Sequence, residues 1–513
     1  MLIQAKLSGN ARTLAICAGL ALANIFSGYD TASAAAVIAD QSFLDEFQFG
    51  SSMKGAFAAL INVGNCIAYL GPLVLMGRWL GRRWTMVTGA FTLMTGASLV
   101  AGARNEGMLL GGRVLCGMGV SLCQGTFAAW TSEIAAPEIR GAAVAMVQVS
   151  YQVGVFVAFW ISLGTASLPS GLSWRVLTAI QMGFGIALVV VALVAPESPR
   201  QLLNRSKDPT NLQDSKVKLA RQNHLNLRRL PSGHTGLEGE WTAMQLDVLA
   251  QRSAAIYDSP WQLLRQRNVW RRIALGAGSC IFAQLTGVAA LMLYGITVFE
   301  SLGLGGKQLS LIINGVGGSL QLIACFAPLF LTDRWGRKKI MLFGIGTAWV
   351  GYLFLGCLFE RWPHAENHKA AIWMVICIFA IQCAYAGAMG SACIVISAEI
   401  WPQALRDFGI SISFLGLFLA VIIVNQLWPV LSAALSFRLY WLMMGVNTVT
   451  FVTVWLFWPE TKLLSLEAMD EVMGSIAPRA SLVQLPQDSL PDLESSPKTQ
   501  DPVAPSSPDE PKS

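Results

Sequence analysis

Two ionisable residues lie where ionisable residues are rarely found. Asp30 stands inside a run of small and apolar residues that spans positions 14–39, and Arg113 stands inside another run, 108–131. Runs of this length are typical of segments that cross a lipid bilayer. A charged side chain at mid-bilayer costs roughly 2.5–3.5 kcal/mol on insertion scales and generally marks an ion or substrate pathway. Asp30 and Arg113 are therefore the first candidates for a functional site, and proton transfer is the chemistry that a membrane-embedded carboxylate offers.

The composition predicts which elements position these charges. The chain has 513 residues, of which 54% are hydrophobic and 13% are charged, whereas soluble domains carry about 25% charged residues. A helical span needs about 20 apolar residues, and runs this long in lipid are helices rather than barrel strands. The candidate runs are 12–37, 53–76, 85–103, 108–131, 142–163, 175–195, 273–298, 309–331, 340–359, 371–396, 408–433 and 438–458. The sequence thus predicts an all-α membrane protein with twelve transmembrane helices.

The residue pattern gives little support to an enzyme. The chain has no Ser-His-Asp spacing and no Walker loop, and its four histidines, at 224, 234, 364 and 368, fall in predicted loops. The ten cysteines lie mostly inside the apolar runs and form no CxxC pair. We expect no catalytic residue, no cofactor and no metal. The first apolar run is too long for a signal peptide and is followed by no clear cleavage site, so we interpret it as the first span.

The basic residues predict the orientation of the chain. The net charge is +6, and Lys and Arg are concentrated in the turn after span 2, the turn after span 8 and the long central segment. With twelve spans, these three places lie on one side of the membrane. The positive-inside rule then puts both termini and the central segment in the cytoplasm. The basic clusters report topology, and we expect no nucleic-acid partner.

Three sequence patterns recur in the same order, which predicts two halves. The segment near 77 (GRWLGRRWTM) is repeated near 333 (DRWGRKKIML), and Glu133 with Arg140 is repeated as Glu399 with Arg406. The segment near 195 (APESPRQL) is repeated near 458 (WPETKLL). Parallel repeats of this kind are a known transporter architecture. We expect a six-helix half at 1–200, a cytoplasmic linker at 201–270, a second six-helix half at 271–460, and a cytoplasmic tail at 461–513, disordered after about 476.

These motifs also carry a family resemblance. In the first half they are Gly28-Tyr29-Asp30, Gly81-Arg82-Arg83, Gly112-Arg113, Glu133 with Arg140, Gln148 and Pro196-Glu197-Ser198-Pro199-Arg200. In the second half they are Gln284-Leu285-Thr286-Gly287, Asp333-Arg334-Trp335-Gly336-Arg337, Glu399 with Arg406 and Pro459-Glu460-Thr461-Lys462. In this order they resemble the sugar porter family of the major facilitator superfamily, over roughly residues 15–470. The resemblance implies alternating access, with the solute bound at mid-membrane between the halves.

The resemblance implies a cytoplasmic gate made of charged residues at helix ends. Opposite charges there hold the cytoplasmic sides together when the cavity opens outward, and separate for inward opening. The gate residues are Arg82, Arg83, Glu133, Arg140, Glu197, Arg200, Asp333, Arg334, Arg337, Glu399, Arg406 and Glu460. The alternative is that these residues only set the topology. Arg78, or Gly77 if the turn is one residue longer, stands where the family usually has an acid, so the first-half gate is expected to be held less tightly.

The resemblance also gives Asp30 and Arg113 a role, because residues at these positions pair in proton-coupled members of the family. A carboxylate beside a guanidinium stays ionised, whereas desolvation favours the neutral acid. A conformational change that separates the two, or dries the site, would let Asp30 take a proton from outside and release it inside. The alternative is a fixed structural ion pair.

The expected substrate cavity departs from the pattern of hexose carriers. Ala283, Ala289, Ile394 and Leu417 stand where those carriers place polar or aromatic contacts. The remaining substrate candidates are Gln148, Gln152, Gln284, Tyr294, Gln321 and Tyr385. For each of them the alternative is a hydrogen bond between helices. Because an unmet hydroxyl costs about 1–3 kcal/mol, we expect a non-hexose solute such as a polyol, a ring acid or another metabolite.

The sequence therefore predicts proton-coupled uptake of a small organic solute across the cell membrane, with protons, the solute and the lipid bilayer as partners and no obligate protein partner. The alternatives are an exporter of a secondary metabolite, a facilitative sugar carrier and, with less support, a non-transporting nutrient sensor. Such sensors usually carry a long cytoplasmic extension, and the tail after about 476 is short.

The predicted orientation is tested at Asn204, which begins the only N-x-S/T triplet in the sequence. Glycosylation requires a lumenal or external loop, and the predicted topology puts Asn204 in the cytoplasm. We expect no change in electrophoretic mobility when the protein is expressed in a eukaryotic host and treated with a glycosidase. A glycan on Asn204 would show that the predicted orientation is wrong.

Overall fold

The structure, a computed structural model, describes residues 2–71, 76–77, 79–136, 139–169, 171–228, 235–254, 266–301, 307–362, 368–401, 405–460 and 473. The predicted disordered tail and Arg78 lie outside these residues, as do the side chains of Arg140, Asp333 and Arg406. The described residues form helices, turns and bends and contain no strand, which confirms the all-α prediction.

The first half contains the helices that run back and forth across the bundle up to residue 194. They are α1 (Leu2–Leu20), α2 (Leu22–Ile38), the short α3 (Gln41–Phe47), α4 (Ser51–Leu70), α5 (Arg82–Ala101), α6 (Glu106–Ile134), α7 (Arg140–Thr165), α8 (Leu172–Ala179) and α9 (Gln181–Val194). Helices α1 and α2 meet at a single turn residue, Ala21, and together make one long apolar segment, Asn10–Ile38.

Three helices of the central segment follow, namely α10 (Pro199–Arg205), α11 (Ser215–Arg228) and α12 (Thr235–Ala254). The second half then contains α13 (Arg267–Leu285), α14 (Val288–Leu293), α15 (Gly295–Ser301), α16 (Lys307–Ala324), α17 (Ala327–Trp335), α18 (Arg337–Arg361), α19 (His368–Ala384), a π-helix (Tyr385–Met389), α20 (Gly390–Glu399), α21 (Arg406–Leu435) and α22 (Arg438–Phe457).

Ten helical segments of the described chain are long and apolar enough to cross a membrane. They account for all the predicted runs except 273–298 and 309–331, which the structure divides. The first divides at Gly287, whose φ of +83° lies in the left-handed region, and again at Tyr294. Glycine tolerates this conformation because it has no side chain to clash. The second divides between Ala324 and Ala327. Spans at these two runs stay a prediction.

The charged residues gather at one end of the bundle, which we call the charged end. It contains Arg82 at the start of α5 and Glu133 near the end of α6, together with Arg337 and Glu399 in the second half. The opposite end contains the turns between α2 and α4 and between α7 and α8. There Arg175 pairs with Glu46 at 2.5 Å, and Ser173 donates a 2.6 Å hydrogen bond to Asp40.

The central helices pack on the charged end of the first half. Arg228 donates to the carbonyl of Ile134 at 3.0 Å, and Asn223 donates to the carbonyl of Glu197 at 3.0 Å. The three helices share a small apolar core of their own, made of Leu202, Leu203, Val217, Ala220, Trp241 and Val248. The three described helices therefore form a folded layer that packs on the first half.

His224 lies inside this layer and makes its stability depend on pH. Burial lowers the pKa of His224 from its ordinary value, the charge of Arg228 lowers it further, and Glu240 opposes the shift. As the pH falls below about 6.5, the unfolded chain takes up a proton that the folded chain refuses, so the folded state loses stability. We expect the melting temperature of the detergent-solubilised protein to fall between pH 7.5 and 5.5, and His224→Gln to remove part of that fall. An equal fall in the variant would contradict this assignment.

Candidate functional site

The two membrane-embedded charges meet in the structure. Arg113 Nη1 lies 3.0 Å from Asp30 Oδ2 and 3.2 Å from Asp30 Oδ1. The side chains of Asp30 and Arg113 are only 1% and 4% exposed. A pair removed from water to this degree is strongly coupled, because removal of one partner leaves the other charge buried and uncompensated. The expected contact between spans 1 and 4 is thus present.

Close helix packing places the pair. A Cβ atom on Gly28 would lie 2.0 Å from the carbonyl oxygen of Tyr151, and one on Gly154 would lie 2.1 Å from that of Ile25. Helices α2 and α7 therefore touch through their backbones, two residues from Asp30. In the same way Gly117, one turn after Arg113, lies against the carbonyl of Ile61 on α4. Small residues at such positions allow the close approach of helices in membranes.

Arg113 has a further partner that the sequence reasoning missed. The guanidinium carbon lies 4.7 Å from the centre of the Phe57 ring, and Nε lies 3.4 Å from the carbonyl oxygen of Phe57. Phe57 is 1% exposed and belongs to α4. Nothing in the spacing of the sequence distinguishes this phenylalanine from the others in apolar runs, so only the structure identifies it.

Two of the substrate candidates are brought together at the π-helix. Gln284 Nε2 donates a 2.6 Å hydrogen bond to the hydroxyl of Tyr385, the first residue of the π-helix. Tyr151 on α7 of the first half is within electrostatic range of Tyr385. Insertions of π-helix into α-helices occur frequently at functional sites. The sequence reasoning did not single out Tyr151.

The other glutamines lie in different surroundings. Gln152 is 1% exposed and its Oε1 has no hydrogen-bond partner among the described residues, whereas Gln148 is half-buried. A buried amide oxygen without a partner is an acceptor available to a ligand or water. Gln321 donates to Gln382 at 3.3 Å, which is a contact between helices of the second half.

Tyr294 lies where the two halves meet at the opposite end. Its hydroxyl lies 3.1 Å from the carbonyl oxygen of Asn425 on α21 and 3.5 Å from that of Lys54 on α4. Beside it, Gln426 donates to the carbonyl of Ser52 at 3.3 Å. These contacts join the first turn of α4 to the second half and close the opposite end of the bundle between these helices.

At the charged end, the ion pairs that the structure describes for the first half join residues of that half or of the linker. Arg82 Nη2 lies 2.6 Å from Glu133 Oε1. Glu197 accepts from the main-chain nitrogens of Arg82 at 2.9 Å and Arg83 at 3.2 Å. Burial raises the pKa of the Glu197 carboxyl, and these main-chain hydrogen bonds oppose the rise. Arg200 lies 3.6 Å from Asp247 of the linker.

The second half repeats this arrangement, as the sequence repeat predicts. Arg337 Nη2 lies 2.9 Å from Glu399 Oε1, and Glu460 accepts from the main-chain nitrogen of Arg337 at 2.9 Å. Arg334 is exposed. The described pairs thus tie helices of one half to each other, rather than holding the two halves together as the gate prediction requires. Their separation and formation during a transport cycle stay a prediction.

A helical bundle with intramembrane charges, two similar halves and polar groups between them defines a membrane transporter rather than an enzyme. The family model for "Sugar (and other) transporter" matches residues 16–473. The chain belongs to this sugar transporter family, within the major facilitator superfamily, and is a multi-pass membrane protein.

Curated relatives extend over nearly the whole chain. It is 27% identical to sugar transport protein MST2 of Oryza sativa subsp. japonica, over 89% of this chain and 90% of the relative. It is 26% identical to a probable quinate permease of Neosartorya fischeri, over 91% of this chain and 88% of the relative. It is 28% identical to the MFS-type transporter criB of Aspergillus cristatus, over 86% of this chain and 89% of the relative.

Solved structures show the same fold. The proton:xylose symporter XylE bound to 6-bromo-6-deoxy-D-glucose matches with a TM-score of 0.74 at 21% identity, over 90% of this chain and 100% of that one. The inward-open conformation of XylE from E. coli matches with a TM-score of 0.73 at 19% identity, over 90% of this chain and 99% of that one.

The packing that places Arg113 gives a test with a matched control. A Cβ atom on Gly117 would lie 1.8 Å from the carbonyl oxygen of Ile61, whereas one on Gly111 of the same helix meets nothing within 4 Å. We expect Gly117→Val to lower the free energy of unfolding by about 3 kcal/mol or more, since the helices must separate. Gly111→Val should leave the melting temperature in detergent nearly unchanged. Equal effects of the two substitutions would contradict the packing described.

Proposed function

We propose that the chain is a proton symporter that takes up a hydroxylated ring acid, or a similarly non-hexose solute, across the plasma membrane. The proposal includes twelve spans, with the charged end and both termini in the cytoplasm, as the positive-inside rule favours. The observation that carries it is the buried Asp30–Arg113 pair, at 3.0 Å and nearly without exposure to solvent.

Coupling follows from the two environments that Asp30 meets. Paired with Arg113, the carboxylate is stabilised in its ionised form. When the pair separates, burial without a partner favours the neutral acid, and Asp30 binds a proton. We assign a state with the opposite end closed and the pair formed to the carrier after the proton has left toward the cytoplasm. Asn at this position has no titrating group and offers no such cycle.

Arg113 connects the proton to the solute. Once Asp30 is neutral, the guanidinium needs another anion, and a solute carboxylate matches its forked donor geometry. Only the protonated carrier then binds the acid tightly, so that proton and solute cross together. The name "quinate permease", carried by several relatives of similar identity over most of this chain, supports a ring acid as that solute.

The surroundings of the π-helix support a solute with fewer hydroxyls than a hexose. Ala283 is fully buried beside Gln284 and offers no polar group. Gln284 and Tyr385 engage each other, and Gln152 keeps a free acceptor. A hexose that leaves two or three hydroxyls unmet loses orders of magnitude in affinity, because about 1.4 kcal/mol corresponds to a tenfold change.

The gate residues complete the proposal. Arg82 with Glu133 and Arg337 with Glu399 hold the charged end of each half in shape. In the outward-open state these charges, together with Arg140 and Arg406, would pair between the halves and close the cytoplasmic side. Such partly hydrated pairs are individually weak, about 0–1 kcal/mol, which suits a contact that must break in every cycle.

A facilitative carrier, in which Asp30–Arg113 is a fixed structural pair, is the alternative that the same geometry allows. The variant Asp30→Asn distinguishes the symporter from the facilitative carrier, because it preserves the size of the side chain and removes the titrating group. We expect Asp30→Asn to abolish concentrative uptake of labelled quinate at external pH 5.5 while equilibrative exchange continues. Asp45→Asn, which removes an exposed carboxylate at the opposite end, is the matched control and should behave as the unaltered protein. Concentrative uptake by Asp30→Asn would overturn the coupling.

The solute itself is tested by competition on the unaltered protein. Quinate and related ring acids should inhibit uptake of labelled quinate, whereas glucose in large excess should not. Glucose transport with submillimolar affinity would show that Gln152 and Gln321 rebuild a hexose site in another geometry.

A further inference from the structure

The first turns of α4 touch the ion pair on one side and the second half of the protein on the other. At residue 57 the ring and the carbonyl of Phe57 hold the guanidinium of Arg113, at 4.7 Å and 3.4 Å. At residues 52 and 54 the carbonyls of Ser52 and Lys54 accept from Gln426 and Tyr294. Five residues of helix span only about 7–8 Å, so these two sets of contacts move together.

Gly55, which lies between these two sets of contacts, also packs tightly against the second half. A Cβ atom on Gly55 would lie 2.9 Å from the carbonyl oxygen of Gln426, so α4 and α21 are in backbone contact at this level. On α21 the preceding residue, Asn425, is 5% exposed, and its carbonyl accepts from Tyr294. Any displacement of residues 52–57 therefore changes the contacts that close the opposite end.

We propose that residues 52–57 connect the charge state of the Asp30–Arg113 pair to the closure at the opposite end, with Phe57 as the positioning residue for Arg113. The inference rests on the proposed proton coupling and adds a path for it. While Asp30 is ionised, Arg113 is held between the carboxylate and Phe57, and the first turns of α4 stay against α21 and Tyr294. When Asp30 is neutral, Arg113 is free to leave, and α4 is released from that constraint.

Phe57 contributes through the face of its ring. A cation over an aromatic ring is worth about 0.5–2 kcal/mol, depending on how far it is removed from water. Leucine in its place keeps the main-chain carbonyl but loses that attraction. Arg113 is then fixed less firmly beside Asp30, and a carboxylate with a weaker partner accepts a proton more readily. The transition governed by Asp30 should therefore move to higher pH.

Other titratable groups that interact electrostatically with the pair are Tyr29 on α2, Cys116 on α6 and Tyr151 on α7. Phenols and thiols ordinarily ionise at about pH 8.5 or above. A transition between pH 5 and 7.5 that disappears in Asp30→Asn is therefore assigned to Asp30.

The experiment measures the closure directly and needs no knowledge of the solute. Asn425→Cys places a reporter thiol at the closure, in a Cys357→Ser background that removes the exposed cysteine. The full-length protein in cells is treated from outside with a membrane-impermeant thiosulfonate at a series of external pH values. Because the thiolate fraction of the reporter itself changes with pH, the rate at each pH is divided by the rate of the same reporter in Asp30→Asn, and this ratio gives a midpoint. The same background without the reporter is subtracted.

We expect Phe57→Leu to raise this midpoint by about 0.5 pH unit, in the lower part of the range for a cation–π contact. Phe57→Tyr keeps the ring and should restore the parental midpoint. Phe47→Leu is the matched control, because Phe47 packs in the same aromatic cluster without contacting Arg113. It loses the same volume and should leave the midpoint unchanged. Phe57→Met is the second variant if the leucine variant fails to fold.

The outcomes separate this inference from the proposed function. A parental midpoint that depends on Asp30 but does not move in Phe57→Leu or Phe57→Met overturns the role of Phe57 and leaves proton coupling intact. Equal shifts in Phe57→Leu and Phe47→Leu overturn it as well, since they indicate a general packing effect. A labelling rate that does not change with pH, or that changes equally in Asp30→Asn, overturns the coupling itself.

Discussion

A carboxylate and a guanidinium 3.0 Å apart, both nearly inaccessible to solvent, impose conditions on the helices around them. Neither charge is tolerable alone in an apolar bundle, so the segments that carry them must approach closely and stay in register. Glycines 28, 117 and 154 provide that approach by letting α2, α6 and their neighbours touch through the backbone. The same demand makes the pair informative, because any rearrangement that separates the two charges changes the free energy of protonating the carboxylate.

Much of this arrangement can be predicted from the sequence, and particular residues show why. The apolar runs around Asp30 and Arg113 identify two spans that each contain a charge, and the family resemblance predicted that the two charges pair. The repeat of the segments near 77 and 333 is matched by the similar surroundings of Arg82 and Arg337. The runs and the repeats depend on composition and order, which are explicit in the sequence.

Other features depend on three-dimensional contacts that carry no local signal. Phe57 is one of 24 phenylalanines, and only the packing of α4 against α6 reveals that its ring lies under Arg113. The break at Gly287 looks in sequence like any glycine in an apolar run, and the pairing of the charges at the charged end within each half follows from helix positions rather than from spacing.

The π-helix at Tyr385–Met389 has a mechanical consequence. A π-helix accommodates one residue more per turn than an α-helix, so the two flanking segments, α19 and α20, are held out of angular register. If the extra residue migrated along the segment by a peptide unit, the side chains passed by it would rotate by about 100°. Tyr385 would then swing away from Gln284 without any breakage of the helix. Such a migration would reorient Tyr385 while the segment His368–Glu399 stays helical throughout.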